Sequence, residues 1–217
     1  MLLATVFFSF NACDEDNKPS KNSTSSVISP NGKISGTLNR FYWDTSFNIA
    51  WDGVATEAKR VAVYYNGWAF SDPIPNENYR VTNGYFSFMM PEPPFEEFKS
   101  VCESFYYDIT EDFISDRNAQ IVHAIMAVVV EENPHTKILE LTSSDKRSII
   151  VDIVYADRAV SITGKTEKTE YDIHLNKGWN TWIEYREHFQ NDEFAPYKVT
   201  TNNDAGLIWG MQIDRPY

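Results

Sequence analysis

From residue 33 to residue 213, short runs of residues alternate between apolar and polar, which is the pattern of β-strands with one buried face. Clear examples are residues 33–38, 160–162 and 171–175. Asn83-Gly84 separates two further runs, and this pair favours a two-residue hairpin because both central positions of a type I′ turn need a positive φ. The pattern therefore predicts a mostly β fold, an antiparallel sandwich or barrel.

Two segments depart from this alternation. Residues 121–130 are almost entirely apolar, which predicts a strand buried on both faces, with His123 as a hydrogen-bonded core histidine. After the prolines of residues 91–94, apolar residues recur at helical spacing, which predicts one short helix over about residues 95–106. Cys102 falls on the apolar side of that helix and is expected to be buried.

The same pattern sets the domain organisation. Residues 31–217 are expected to form a single β-rich domain, because no long Pro-rich or Gly-rich linker interrupts them. A boundary near residues 91–94 is the alternative, since the prolines there would separate a small first unit from the rest.

The first residues carry a different signal. Residues 2–10 are an apolar run too short to span a bilayer, and they end in Phe10-Asn11-Ala12-Cys13. This stretch resembles the signal of bacterial lipoproteins, although that family usually has Leu and a small residue where Phe10 and Asn11 stand. The resemblance implies that residues 1–12 are a signal peptide, that the chain is cut before Cys13, and that Cys13 carries a lipid.

The residues after Cys13 extend this resemblance. Asp14-Glu15-Asp16 is similar to the acidic tag that directs some Gram-negative lipoproteins to the outer face of the outer membrane. The resemblance implies a surface-exposed protein anchored by its lipid in the outer membrane. Residues 13–30 are rich in Ser, Thr, Lys and Asn, and are therefore predicted to be a flexible tether.

Charge and cysteine content exclude several functions. The formal net charge of −12 disfavours nucleic acid as a partner, and it disfavours binding of anionic lipids through a basic patch. The chain has two cysteines. With Cys13 used for lipid, Cys102 is a single thiol, so neither a disulfide within the chain nor a zinc site built on cysteines is expected.

The sequence contains no catalytic or cofactor-binding motif with a strong local signature. The four histidines do not stand at metal-ligand spacing, although His174 and His188 would meet if their strands were neighbours. No catalytic residue, metal or cofactor is therefore assigned from the sequence.

Aromatic residues are the enriched class, at 15% of the chain. Most are expected to pack in the core and across strands, and Trp179 is interpreted in that way. Tyr42, Trp43 and Trp68 lie near predicted turns and are the candidate ligand-binding residues, because exposed aromatic rings stack on the apolar faces of sugars.

The leading hypothesis is a non-enzymatic binding module, with carbohydrate as ligand. The alternatives are an interaction subunit of an envelope protein complex and a glycan-acting hydrolase with two carboxylates.

Overall fold

A computed structural model of the chain describes residues 28–29, 31–45, 49–66, 79–104, 109–130, 136–143, 148–186, 196–201 and 207–213. The mostly β prediction is confirmed. Within these residues the strands are β1 (Lys33–Trp43), β2 (Ile49–Val54), β3 (Arg60–Tyr65), β4 (Val81–Thr82), β5 (Tyr85–Met89), β6 (Lys99–Ser100), β7 (Gln120–Val129), β8 (Thr136–Ser143), β9 (Ser148–Ala156), β10 (Val160–Lys165), β11 (Glu170–Leu175), β12 (Gly178–Arg186), β13 (Lys198–Thr200) and β14 (Leu207–Gln212).

The strands form two layers that face each other. The first sheet has the order β10-β11-β13-β12-β9-β7, with β3 on the outer side of β7. The second has the order β8-β14-β1-β5-β4, with β2 beside β1. Strand β8 joins the layers, because it pairs first with β7 and then with β14. The architecture is a β-sandwich, in which β1–β14 and β11–β13 are parallel pairs among antiparallel ones.

Two hydrophobic clusters hold the fold together. The first core lies between the sheets and takes residues from both sides of the Pro91–Pro94 run, among them Ile34, Phe86, Val122, Trp179 and Trp209. The second core lies on the other face of the first sheet, where Val101, Ile114 and Ala119 cover Ile121, Val154, Ile162, Ile173 and Trp182. Ile28 also packs into the first core, so the folded part includes this residue, ahead of the predicted domain start at residue 31.

The predicted two-residue hairpin at Asn83-Gly84 is present. Asn83 and Gly84 have φ values of 50° and 75°, and they join the paired residues Thr82 and Tyr85 as a type I′ hairpin requires. Gly178, at the start of β12, also has a positive φ, of 100°. The apolar run of residues 121–130 forms β7, with Ile121 and Val122 fully buried on opposite faces.

The predicted helix is present but much shorter than residues 95–106. A 3₁₀ helix covers Phe95–Glu97, β6 follows, and the helix α1 covers only Val101–Ser104. Pairing of Lys99 and Ser100 with β7 interrupts the helix, because a residue cannot belong to both elements. The helix therefore starts at Val101, which is buried together with Ser104.

The prediction that Cys102 is buried is wrong, since the Cys102 side chain is exposed. Its predicted burial assumed one continuous helix from residue 95, and the shorter helix presents a different face to the core. Within the described ranges, no helix is long and apolar enough to cross a bilayer.

The close contact between β1 and β14 gives a test of the second sheet. A Cβ added at Gly210 would lie 2.7 and 2.8 Å from two carbons of the fully buried Phe41 ring. We expect Gly210→Ala to lower the free energy of unfolding by about 1–3 kcal/mol through overpacking. Gln212→Ala, at an exposed position on the same face of β14, is the control and should change it by less than about 0.5 kcal/mol. Urea unfolding measures both, and equal effects would contradict the packing account.

Candidate functional site

Along β1, the side chains on the face toward the first core change from buried to partly exposed. Leu38, Arg40 and Tyr42 lie on one face because side chains of alternate strand residues point the same way. Leu38 is fully buried, the Arg40 side chain is 34% exposed, and Tyr42 is half-buried. The core therefore ends between Leu38 and Arg40, and Tyr42 lies at the open rim of the sandwich.

A bulge in β2 places charged groups around Arg40, which shares a strand face with Tyr42. The pairing of β1 with β2 shifts between Asn39 and Phe41, and Gly53 takes up the extra residue with a φ of 80°. The Arg40 guanidinium donates hydrogen bonds from Nε and Nη2 to the Asp52 carbonyl oxygen, at 3.0 and 2.8 Å. Its nitrogens also lie 3.3 Å from the Asp52 carboxylate and 3.9 Å from that of Glu57. We call Arg40, Tyr42, Asp52 and Glu57 the rim site.

Packing on the opposite face of β1 fixes the strand under the rim site. The rings of Phe41 and Trp51 lie 5.7 Å apart and cover Gly210 of β14. Absence of a side chain at Gly210 lets the Phe41 ring approach the backbone closely. The Trp51 indole nitrogen is buried and has no hydrogen-bond partner among the described residues.

Of the three predicted ligand-binding residues, Tyr42 alone has its side chain in the described part of the chain. Tyr42 lies in the rim site. Trp43 is the last residue of β1, and the structure describes its backbone alone. Trp68 and the predicted lipidation site Cys13 lie outside the described residues. Trp179 is buried in the first core, which confirms its structural interpretation.

Arg40, Asp52 and Glu57 are not among the site residues predicted from the sequence. A weak signal was available, because Arg40 interrupts an apolar face and Asp52-Gly53 is a pair typical of turns and bulges. That the guanidinium reaches back to the bulge depends on strand pairing, which one sequence does not give.

A second polar cluster lies on the face of the first sheet that points away from the second sheet. The Trp182 indole nitrogen donates a hydrogen bond to the Asp152 carboxylate at 2.7 Å, and the rings of Trp182 and His123 meet edge to face at 4.9 Å. Glu184, two residues from Trp182, is buried. His123 Nε2 has no hydrogen-bond partner among the described residues, so the interpretation as a hydrogen-bonded histidine does not hold for this nitrogen.

The surroundings of His123 favour the neutral imidazole. Burial lowers the pKa of His123 from 6.5 to about 4, Glu184 acts in the opposite direction, and Lys99 lowers the pKa further. At neutral pH the ring is therefore uncharged and packs as an apolar group against Trp182.

Ser161, His174 and Asp172 form a chain of hydrogen bonds on the surface. Ser161 Oγ lies 2.9 Å from His174 Nδ1, and His174 Nε2 lies 3.0 Å from Asp172 Oδ1. The histidine and aspartate side chains are more than half exposed on the paired strands β10 and β11, so water competes for every group. We interpret this chain as a cross-strand ladder that stabilises the hairpin. His188, the expected neighbour of His174, lies outside the described residues.

Comparison with known proteins assigns no function to the chain. No protein-family model matches the sequence, and neither a curated protein nor a solved structure does. In the part of the chain that the structure describes, no group of three or more His, Cys, Asp and Glu side chains has metal-binding geometry. The rim site is the candidate site, because it places a half-buried aromatic side chain on the same strand face as hydrogen-bonding groups.

The lowered pKa of His123 predicts a loss of stability in acid. Protonation favours the unfolded chain, where the pKa is near 6.5, so the stabilising contribution is complete above that pH and declines as the pH falls to about 4. We expect the loss over this interval to be about 3 kcal/mol. In His123→Gln this part of the pH dependence should be absent, whereas His174→Gln, at the exposed histidine, should retain it. Urea unfolding at pH 7 and pH 4.5 measures the difference, and an unchanged slope in His123→Gln would contradict the assignment.

Proposed function

We propose that this chain is a lipid-anchored, non-enzymatic binding module of a bacterial cell envelope, and that the rim site binds carbohydrate. The proposed location is supported by the resemblance of Phe10-Asn11-Ala12-Cys13 to a lipoprotein signal and by the acidic residues after it. Support for the ligand comes from the rim site, and the observation that carries the proposal is the position of the half-buried Tyr42 beside the Arg40–Asp52 bulge.

The chemistry of the rim site suits a sugar. A pyranose ring has apolar C–H faces and a border of hydroxyl groups, each able to donate and accept hydrogen bonds. The Tyr42 ring offers a face for stacking, and it has a polar tip that can remain in water. The carboxylates of Asp52 and Glu57 accept hydrogen bonds, and the guanidinium of Arg40 donates them.

The site is also partly ordered before any ligand arrives. Arg40 is already held by two hydrogen bonds to the Asp52 carbonyl, and its strand is fixed by the packing of Phe41 under it. Less side-chain freedom is therefore lost on binding, which favours affinity from a small site. The side chains of Arg40, Asp52 and Glu57 are 34–44% exposed, so water screens their charges. These charges therefore contribute more to the specificity of binding than to its affinity.

Binding of carbohydrate can be tested directly on the full chain. A glycan array identifies a ligand, and calorimetry then compares the wild type with Tyr42→Ala. Loss of the stacking face should weaken binding by on the order of tenfold or more, since burial of a large apolar side chain contributes about 1.5–3 kcal/mol. Trp43→Ala and Trp68→Ala are expected to weaken binding as well.

Tyr85→Ala is the matched control. Tyr85 is an exposed tyrosine on β5 that pairs with Thr37, so it lies on the opposite face of the second sheet from Arg40 and Tyr42, and its replacement should leave the affinity unchanged. Absence of binding to every glycan, or equal losses in Tyr42→Ala and Tyr85→Ala, would count against the carbohydrate assignment.

The lipid anchor is tested separately. We expect mass spectrometry of the mature protein to show that the chain begins at Cys13 and carries acyl chains. Cys13→Ser should release the protein from the membrane fraction, because the thioether link to lipid can no longer form. An unprocessed N-terminus on a protein found in the cytosolic fraction would refute the anchor.

A further inference from the structure

The chain enters the sandwich at one definite end. Ile28 packs into the first core and forms a bridge with Ile34, and the Ser29 backbone nitrogen donates a hydrogen bond to the carbonyl of Lys33. The carbonyl of Gly32 accepts a hydrogen bond from Met90, and the Gly32 backbone lies against the Trp179 indole. We call this the entry end. It lies at the opposite end of β1 from the rim site.

A proline-rich strap, residues 91–98, begins immediately after Met90 and is held by side chains at several points. The Tyr65 hydroxyl donates to the Pro91 carbonyl at 3.3 Å, and the Tyr155 hydroxyl donates to the Glu92 carboxylate at 3.0 Å. The Asn66 amide donates to both the carbonyl and the carboxylate of Glu97. Burial raises the pKa of Tyr65 and of Tyr155, so both hydroxyls remain protonated donors.

The strap presents a large apolar side chain to water. Phe95 is 81% exposed, and Met89, which pairs with Lys33 at the start of β1, is 50% exposed. A continuous series of ring contacts places Phe95 at the entry end. It runs through Phe98, Tyr155 and Trp179, with centroid distances of 6.4, 5.8 and 5.2 Å.

The position of these side chains relative to the anchor points to what covers them. Residues 14–27 connect Cys13 to Ile28, and a chain of that length reaches at most about 50 Å. A lipid on Cys13 therefore keeps the entry end close to one bilayer. Under that restriction a contact too weak to form between separate molecules becomes effectively intramolecular.

We propose that Phe95 and Met89 dock the entry end onto the surface of the bilayer that holds the Cys13 lipid. The inference rests on the anchor proposed above. The aromatic ring enters the boundary between headgroups and acyl chains, where aromatic side chains of membrane proteins concentrate. Because Glu96 beside Phe95 is exposed and the net charge of the chain is −12, we expect the contact to be stronger on a zwitterionic surface than on anionic headgroups.

The experiment uses the full, lipidated chain reconstituted in phosphatidylcholine vesicles. Cys102→Ser removes the exposed free thiol, and Glu96→Cys then provides one thiol for an environment-sensitive fluorophore beside an intact Phe95. Glu167→Cys is the matched control. It lies in the β10–β11 turn, which the pairing of Glu170 with Lys198 and of Lys198 with Tyr185 places at the opposite end of β12 from Trp179.

We expect the probe at position 96 to shift to shorter wavelength and to be quenched by a quencher attached to the lipid acyl chains. The probe at position 167 should show neither change. Replacing both apolar residues, as Phe95→Ser with Met89→Ser, should abolish the shift and the quenching at position 96 while the protein stays bound through its lipid.

Three results would overturn the docking, and they differ in what they say about the anchor. Equal signals from positions 96 and 167 on vesicle-bound protein would refute the docking and leave the anchor intact. An unchanged signal at position 96 after the double replacement would show that Phe95 and Met89 do not make the contact. A mass spectrum without the lipid on Cys13 would refute the anchor and, with it, the reason for docking.

Discussion

Burial of β7 on both faces is the constraint on which the rest of the fold depends. One face of β7 supplies Val122 and Val128 to the core between the sheets, and the other supplies Ile121 to the second core. Its backbone pairs with β3 and β6 on one side and with β9 and β8 on the other. Because β8 continues into the second sheet, the position of β7 also sets how the two layers meet.

The two sheets differ in width, and this difference explains where polar residues collect. The face of the first sheet that packs against the second sheet continues across β13, β11 and β10, where Thr163, Asp172 and His174 are exposed or half-exposed. On the opposite face of the first sheet, the distribution of polar and apolar residues is reversed. That face is apolar under β10 and β11, and it carries the polar groups of Asp152, His123 and Glu184 near β9 and β7.

Local patterns in the sequence were sufficient for most strands and for the hairpin at Asn83-Gly84, because alternation and positive φ are properties of neighbouring residues. The helix was predicted too long, since the pairing of Lys99 and Ser100 with β7 is a contact over twenty residues that no local spacing reports. Strand β13, at three residues, is too short to show a period. In the rim site, the aromatic character of Tyr42 near a turn is visible in the sequence, whereas the approach of Arg40 to Asp52 is not, because a bulge in the neighbouring strand brings these two residues together.

Strand β1 has eleven residues, and at the rise of an extended chain it is about 35 Å long. Its first residue follows the segment from Cys13, and its last residues include Tyr42. In an anchored molecule holding a ligand through Arg40 and Tyr42, tension between the ligand and the lipid would pass along this one covalent backbone. The surrounding hydrogen bonds with β5 and β14 would carry little of that load, so the domain could resist detachment by flow or shear without having to be stable against mechanical unfolding.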